Sequence, residues 1–223
     1  MKILIEGGNI FKDADKQPLT QRIYRADVVT TLKWLEPIIN LPLLDNTLGT
    51  TGKKDTSGDL DIAVDETATT KEDIVASLKQ WVKQNHPEDK LRTWIAKSGV
   101  SVHFKTPING DESKGFVQTD LMFGNPEFMK WSSVGEMGET YRGQHRMILL
   151  HSMATSKGYK WQGFTGLTNR ETGEKITDPQ QITDILLGPG GNPMSLTSID
   201  GIMNAISGKE NYDELVAQAA ETF

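Results

Sequence analysis

The sequence predicts a mixed α/β protein in two lobes, the first built on a β-sheet with flanking helices and the second mostly helical. Three patterns predict it. Residues 59–64 alternate carboxylate or small side chains with Leu60, Ile62 and Val64, which is the two-residue period of a half-buried strand. A helix with a clear apolar stripe follows directly, and further alternating runs come after it. Beyond about residue 135 helical spacings dominate. The lobes are expected at 1–135 and 136–223, in a chain of 223 residues that is long enough to bury a proper core. There is no internal repeat and no low-complexity linker.

Taken in order, residues 1–24 read as irregular or hairpin-like, with a strand expected at 3–5. Val28, Leu32, Leu35 and Ile38 or Ile39 recur at helical spacing over 26–39, and Asn40 and Pro42 end that helix. Residues 43–48 read as a strand leading into a glycine-rich stretch, Leu48 to Gly58, which reads as a loop or helix start. Thr70-Lys71-Glu72-Asp73 has the form of a capping box. It opens a helix to about residue 85, striped by Ile74, Val75, Leu78, Trp81 and Val82, and Asn85-His86-Pro87 stops it. Strands are expected over 91–96, 100–105 and 116–123, with a turn-rich loop over 107–115.

In the second half a short helix is expected from Pro126 to about 131, a glycine-rich loop or hinge over 132–141, and a helix over 144–156. A small hairpin is expected from 161–167 and 175–176. Helices follow over 179–187, 195–206 and 211–220.

Composition excludes several kinds of chemistry. The chain has no cysteine, so disulfides, thiol catalysis and zinc–cysteine sites are out. His86, His103, His145 and His151 show no metal-ligand spacing, and His103, on a strand, reads as structural. The first residues carry too short an apolar run for a signal peptide, and no segment has the length of a membrane span. A cytoplasmic protein without a membrane partner is the expectation. The formal net charge is −6. A protein that grips long duplex DNA usually carries a basic footprint, and this chain as a whole does not. Locally, residues 142–175 hold six Lys or Arg against two Glu, a net +4.

The residues that carry chemistry centre on 48–64. On a strand, Asp59 and Asp61 point to one face while Leu60, Ile62 and Val64 point to the other. Side-by-side carboxylates repel unless a cation sits between them, and paired hard oxygens suit Mg²⁺ better than Zn²⁺. Upstream stand Gly49, Gly52 and Gly58, Lys53 and Lys54, and the hydroxyls of Thr50, Thr51, Thr56 and Ser57. That mixture of free backbone N–H groups, small residues and positive charge suits a phosphate. The plainer alternative is that Ser57-Gly58-Asp59 is simply a turn. Asp120 stands in mid-strand among apolar residues, where an unpaired buried carboxylate costs several kcal/mol. Either it faces solvent on an edge strand, or its strand lies beside Asp59 and Asp61 and it completes a metal triad.

The stretch resembles the signature of the DNA polymerase beta-like nucleotidyltransferase superfamily: Gly-Ser near a helix start, about ten residues, then Asp-x-Asp on a strand. Gly49-Thr50 stands where Gly-Ser is usual, and Thr56-Ser57-Gly58-Asp59-Leu60-Asp61 looks like the family X polymerase version. The second half is similar to the family X thumb, in Arg142-Gly143-Gln144-His145-Arg146, Lys157-Gly158-Tyr159, Thr172-Gly173-Glu174 and Asp178-Pro179-Gln180-Gln181-Ile182. The resemblance covers roughly residues 26–188. It implies a nucleotidyltransferase palm with a thumb-like lobe, and Asp59, Asp61 and Asp120 as catalytic ligands of two Mg²⁺, with Mn²⁺ as a substitute, roughly 3.5–4 Å apart. It also implies an NTP or dNTP held by Gly49, Thr50, Lys53 or Lys54, Ser57 and Gly58, with Arg146 reaching nucleotide or primer. The reaction expected is transfer of a nucleoside monophosphate to a hydroxyl, with release of pyrophosphate, the acceptor being a nucleic-acid 3′ end.

Departures from that pattern keep other functions open. The 223 residues are not expected to form a lyase-type N-terminal domain or a helix-hairpin-helix clamp, and no aromatic pair is evident before the thumb helix, where Ser132-Ser133-Val134-Gly135 stands. Transfer to a small molecule, a protein or tRNA is the alternative, and an inactive nucleotide- or nucleic-acid-binding module is a third.

Overall fold

A computed structural model describes residues 10–134 and 143–207 of the chain. The strand expected at 3–5, most of the glycine-rich segment at 132–141 and the helix expected over 211–220 lie outside the described residues. The chain forms two compact units, Met1–Pro126 and Glu127–Phe223.

In the first unit, β1 (Ile23–Tyr24) leads into helix α1 (Arg25–Ile39), and β2 (Thr56–Ser57) pairs antiparallel with β1. Then come β3 (Asp59–Asp65), α2 (Lys71–Asn85), β4 (Ile95–Ser98), β5 (Ser101–Pro107) and β6 (Phe116–Gly124). The main sheet has four strands in the order β3-β6-β5-β4. β3 runs parallel to β6, and the other neighbours are antiparallel. A parallel neighbour needs a crossover, and the chain between β3 and β6 supplies one that includes α2. The sheet is therefore mixed, with β6 in its interior.

One face of the sheet is apolar. Leu60, Ile62, Val64, Val102, Phe104, Val117, Leu121 and Phe123 share a single core with Val28, Leu32, Leu35 and Ile39 of α1 and Ile74, Val75, Leu78 and Val82 of α2. The buried hydroxyls of Thr106 and Thr119 satisfy each other across β5 and β6 at 2.7 Å. Helix α2 starts as the sequence predicts: the Thr70 hydroxyl accepts from the Asp73 N–H at 3.2 Å and donates to the Asp73 carboxylate at 2.7 Å. Asn40, in the left-handed region at φ 55°, closes α1.

Three expected elements differ. Residues 43–48 form no strand. Leu44–Asn46 is a 3₁₀ turn, because the Glu36 carboxylate at the end of α1 accepts from the N–H groups of Leu43 and Leu44 at 2.8 and 3.4 Å and folds the chain back. Only Thr47 bridges to Ile62. The strand expected over 91–96 begins later, since Leu91–Thr93 is a 3₁₀ turn and Trp94 is pinned by its indole N–H to Asp89 at 2.8 Å. The helix expected over 195–206 is broken, because Ser198 leaves helical geometry to cap α6.

The second unit holds α3 (Pro126–Ser132, whose first residue closes the first unit), α4 (Gly143–Ser156), a sheet of β7 (Tyr159–Gln162), β8 (Gly166–Asn169) and β9 (Lys175–Ile176), then α5 (Pro179–Leu187) and α6 (Ile199–Ile206). The expected hairpin is thus a three-stranded antiparallel sheet. Asp178 caps α5 by accepting from Gln181 N–H at 2.8 Å. Among the described residues no helix is long and apolar enough to cross a membrane.

Leu78 is fully buried between helix and sheet. Leu78→Ala is expected to lower stability by about 2–5 kcal/mol, and loss of the cap in Thr70→Ala by about 1 kcal/mol, both read as shifts in urea unfolding.

Candidate metal centre

The other face of the sheet is polar, and strand register builds it. In the parallel β3–β6 pair, Asp61 lies opposite Asp120 and Asp59 opposite Gln118. Paired residues point to the same face, and neighbouring strands lie about 4.8 Å apart. Register alone therefore places Asp120 beside the two aspartates of β3. One carboxylate oxygen from each of Asp59, Asp61 and Asp120 lies within 4.8 Å of the others. Asp120 is no edge residue: it sits on an interior strand and is 8% exposed.

Two hydrogen bonds bind the glycine-rich stretch to β3. Leu48 N–H donates to the Asp61 carbonyl at 2.8 Å, and Asp61 N–H donates to the Thr51 hydroxyl at 3.1 Å. Both main-chain groups of Asp61 are thus held by the segment 48–51. That segment is a succession of turns rather than a helix start, with Thr51 N–H on Leu48 O and Lys53 N–H on Thr50 O. Gly49 has φ 56°, and a Cβ there would meet nothing within 4 Å, so the turn is open on that side. Thr50, Lys53 and Lys54 are exposed, and Gly58 is half-buried. Ser57, two residues before Asp59, is 5% exposed, and its hydroxyl has no hydrogen-bond partner.

The electrostatics follow from packing three acids together. Burial, then the nearby Asp59 and Asp120 carboxylates, push Asp61 up to about 7. Burial and Asp120 also raise Asp59, against the opposing pull of its own backbone N–H and of Arg22. Crowded carboxylates are relieved by a cation between them, and three hard oxygen donors match Mg²⁺ or Mn²⁺. The donor set fits a divalent ion.

Sequence reasoning missed two neighbours. Arg22 donates to the Thr56 hydroxyl and carbonyl, each at 3.1 Å, and is the basic group that acts on Asp59. Its position comes from the β1–β2 pairing, which leaves no local sequence signal. His103, read as structural, lies opposite Asp120 and bonds it through Nδ1 at 2.7 Å. Alternation along 100–105 could have placed His103 on the polar face, but not its register with Asp120.

Arg146 lies in the second unit. It is 6% exposed, and its guanidinium donates to the carbonyls of Val134 at 2.6 Å, Thr197 at 2.7 Å and Ser132. Those bonds tie α4 to the end of α3 and to the turn before α6. Among the described residues the exposed cations of the expected basic run are Lys157, Lys160, Arg170 and Lys175.

No family model and no curated protein matches the chain. Among solved structures, a polymerase beta of Leishmania infantum, in a ternary P/T complex, aligns at 13% identity over 79% of this chain and 77% of that chain, with a TM-score of 0.43. The functional reading rests on the site itself.

The raised Asp61 gives a signed pH dependence. Its folded value of about 7 exceeds the ordinary 3.8, so the folded state holds a proton that the unfolded state has lost between those values. Metal-free protein is expected to lose stability as pH rises from about 4 through about 7 and to level off above. Mn²⁺ should raise the unfolding temperature more at pH 8 than at pH 6. Asp61→Asn should flatten the profile and unfold at a higher temperature than wild type at pH 8 without metal, as read by calorimetry in EDTA.

Proposed function

We propose that the chain is a metal-dependent nucleotidyltransferase that moves a nucleoside monophosphate from an NTP or dNTP to a hydroxyl, a minimal polymerase beta-like enzyme acting on a nucleic-acid 3′ end. The observation that carries this reading is the carboxylate triad formed by the register of parallel strands β3 and β6, with an open, hydroxyl-bearing turn clamped to its central member. The palm and thumb assignment at 1–135 and 136–223 belongs to the same proposal.

Asp59, Asp61 and Asp120 would hold the divalent ions. When bound, such ions neutralise phosphate charge and favour ionisation of the attacking hydroxyl. The chain's own groups divide the remaining work. The turn at Gly49 and Thr50, with Ser57 and Gly58, offers donors to the β- and γ-phosphates, and Lys53, Lys54 and Arg22 supply positive charge for the leaving pyrophosphate. The acceptor oxygen bonds to the α-phosphorus as the bond from that phosphorus to the bridging oxygen breaks. Asp120 accepts the hydroxyl proton. Positioning by a rigid strand pair carries much of the rate. Arg146 enters this scheme as the brace of α4, not as a nucleotide ligand.

Transfer to a small molecule, a protein or tRNA is the second reading. It is favoured by the net charge of −6 and by the burial of Arg146, which removes one cation from the basic run.

The test is transfer of α-labelled nucleotides, with Mg²⁺ or Mn²⁺, onto single strands, primer–template, gapped duplex and tRNA. Extension by wild type that falls to background in Asp59→Ala and Asp61→Ala, both still folded by circular dichroism, is the expected result. Nucleotide and metal binding with no product on any nucleic acid would favour the second reading. Activity that survives both substitutions would refute the site.

A further inference from the structure

The polar face holds one more arrangement that the transfer scheme does not use. Ser98 on β4, His103 on β5 and Asp120 on β6 form an unbroken hydrogen-bond row: Ser98 Oγ to His103 Nε2 at 2.6 Å, and His103 Nδ1 to Asp120 Oδ1 at 2.7 Å. Cross-strand pairing continues the row from Asp120 to Asp61 on β3, so all four strands contribute. A carboxylate only accepts, so Nδ1 carries the proton, and a neutral ring then takes the Ser98 hydroxyl proton at Nε2. The Asp120 carboxylate thus sets the tautomer, and the Ser98 hydroxyl, able to donate or accept, answers it and anchors the far side of the ring. Gln118, two residues before Asp120, adds a second grip: its amide nitrogen donates to Oδ1 at 2.9 Å and Oδ2 at 3.1 Å, while its own oxygen accepts from Ile10 N–H at 3.0 Å.

From this geometry we propose that His103 is a positioning residue for the metal centre, acting through Asp120, with Ser98 as its outer anchor; the proposal rests on the reading of the triad given above. The donors fill the carboxylate unevenly. Oδ1 receives two, and Oδ2 receives one, the longer. The carboxylate is thereby held in one orientation with acceptor capacity left on Oδ2. An isolated buried His–carboxylate pair is weak as a stabilising device, because both groups lose water on burial. Beside a metal, the same pair fixes the direction of a ligand, and removing such a partner typically weakens metal binding about 10–100-fold. His103 is 6% exposed, so it is held in place, while Ser98 at the strand end is exposed.

The experiment is Mn²⁺ titration of the full, metal-free chain by electron paramagnetic resonance, without nucleotide, on wild type, His103→Ala, His103→Asn and Ser98→Ala. Unfolding temperatures in EDTA run alongside. An asparagine amide nitrogen reaches the place of Nδ1 and keeps the bond to Asp120 while losing the one to Ser98. His103→Ala is expected to raise the Mn²⁺ dissociation constant about tenfold, His103→Asn to recover most of that loss, and Ser98→Ala to show a smaller loss at unchanged unfolding temperature. Wild-type affinity in His103→Ala overturns the proposal, as does a loss in all variants that merely tracks their stability. If His103→Ala does not fold, the other two decide: a tenfold or greater loss in His103→Asn, with no loss in Ser98→Ala, overturns it. A wild-type chain that binds no Mn²⁺ overturns the reading of the triad and this proposal with it; Mn²⁺ binding that is indifferent to His103 overturns this proposal alone.

Discussion

Three carboxylates crowded onto one patch of a sheet repel one another, and the rest of the first unit is arranged to keep them there. The crowding arises from a single feature, the parallel pairing that sets Asp61 opposite Asp120. That pairing in turn depends on the crossover through α2, and α2 is fixed by the apolar stripe it buries against the opposite face. The helices that look remote from the chemistry therefore set the separation of the charged groups. Slipping β6 by one residue would send Asp120 into the core and Thr119 to the polar face.

The cost of this arrangement is visible in Asp61, which burial and its two acidic neighbours push up to about 7. Ordinary cores avoid such clusters. Here the surrounding groups hold the acids in place without neutralising them. The turn at 48–51 clamps the main chain of Asp61, Arg22 acts on Asp59, and Gln118 with His103 grips Asp120. A divalent cation would relieve this repulsion, so that the features that disfavour the metal-free state would favour a bound one.

What was legible in the sequence was whatever is local. Asp-x-Asp spacing fixes a shared face once the run is a strand, and the alternation of 116–123 puts Asp120 opposite its apolar neighbours. The Thr70 cap could be read from residues three apart. What escaped depends on contacts between segments. The Glu36 carboxylate, seven residues away, turns an apparent strand at 43–48 into a 3₁₀ turn. Arg22 reaches the site through a two-residue strand pair, and His103 through antiparallel register, neither of which has a signature in its own neighbourhood. Arg146 was expected to reach nucleotide or primer because Arg142-Gly143-Gln144-His145-Arg146 is similar to the thumb helix. Its guanidinium donates to three carbonyls and braces α4, a role that no periodicity in α4 signals.

The central claim is that Asp59, Asp61 and Asp120 together hold divalent metal in contact with a nucleoside triphosphate. The most direct measurement is a crystal structure of the chain with Mn²⁺ and a non-hydrolysable triphosphate analogue, read by anomalous scattering. The account predicts anomalous density coordinated by all three carboxylates, with the phosphates against the turn at Gly49 and Thr50. Mn²⁺ and nucleotide bound elsewhere, with the three side chains uncoordinated at pH 8, would contradict it.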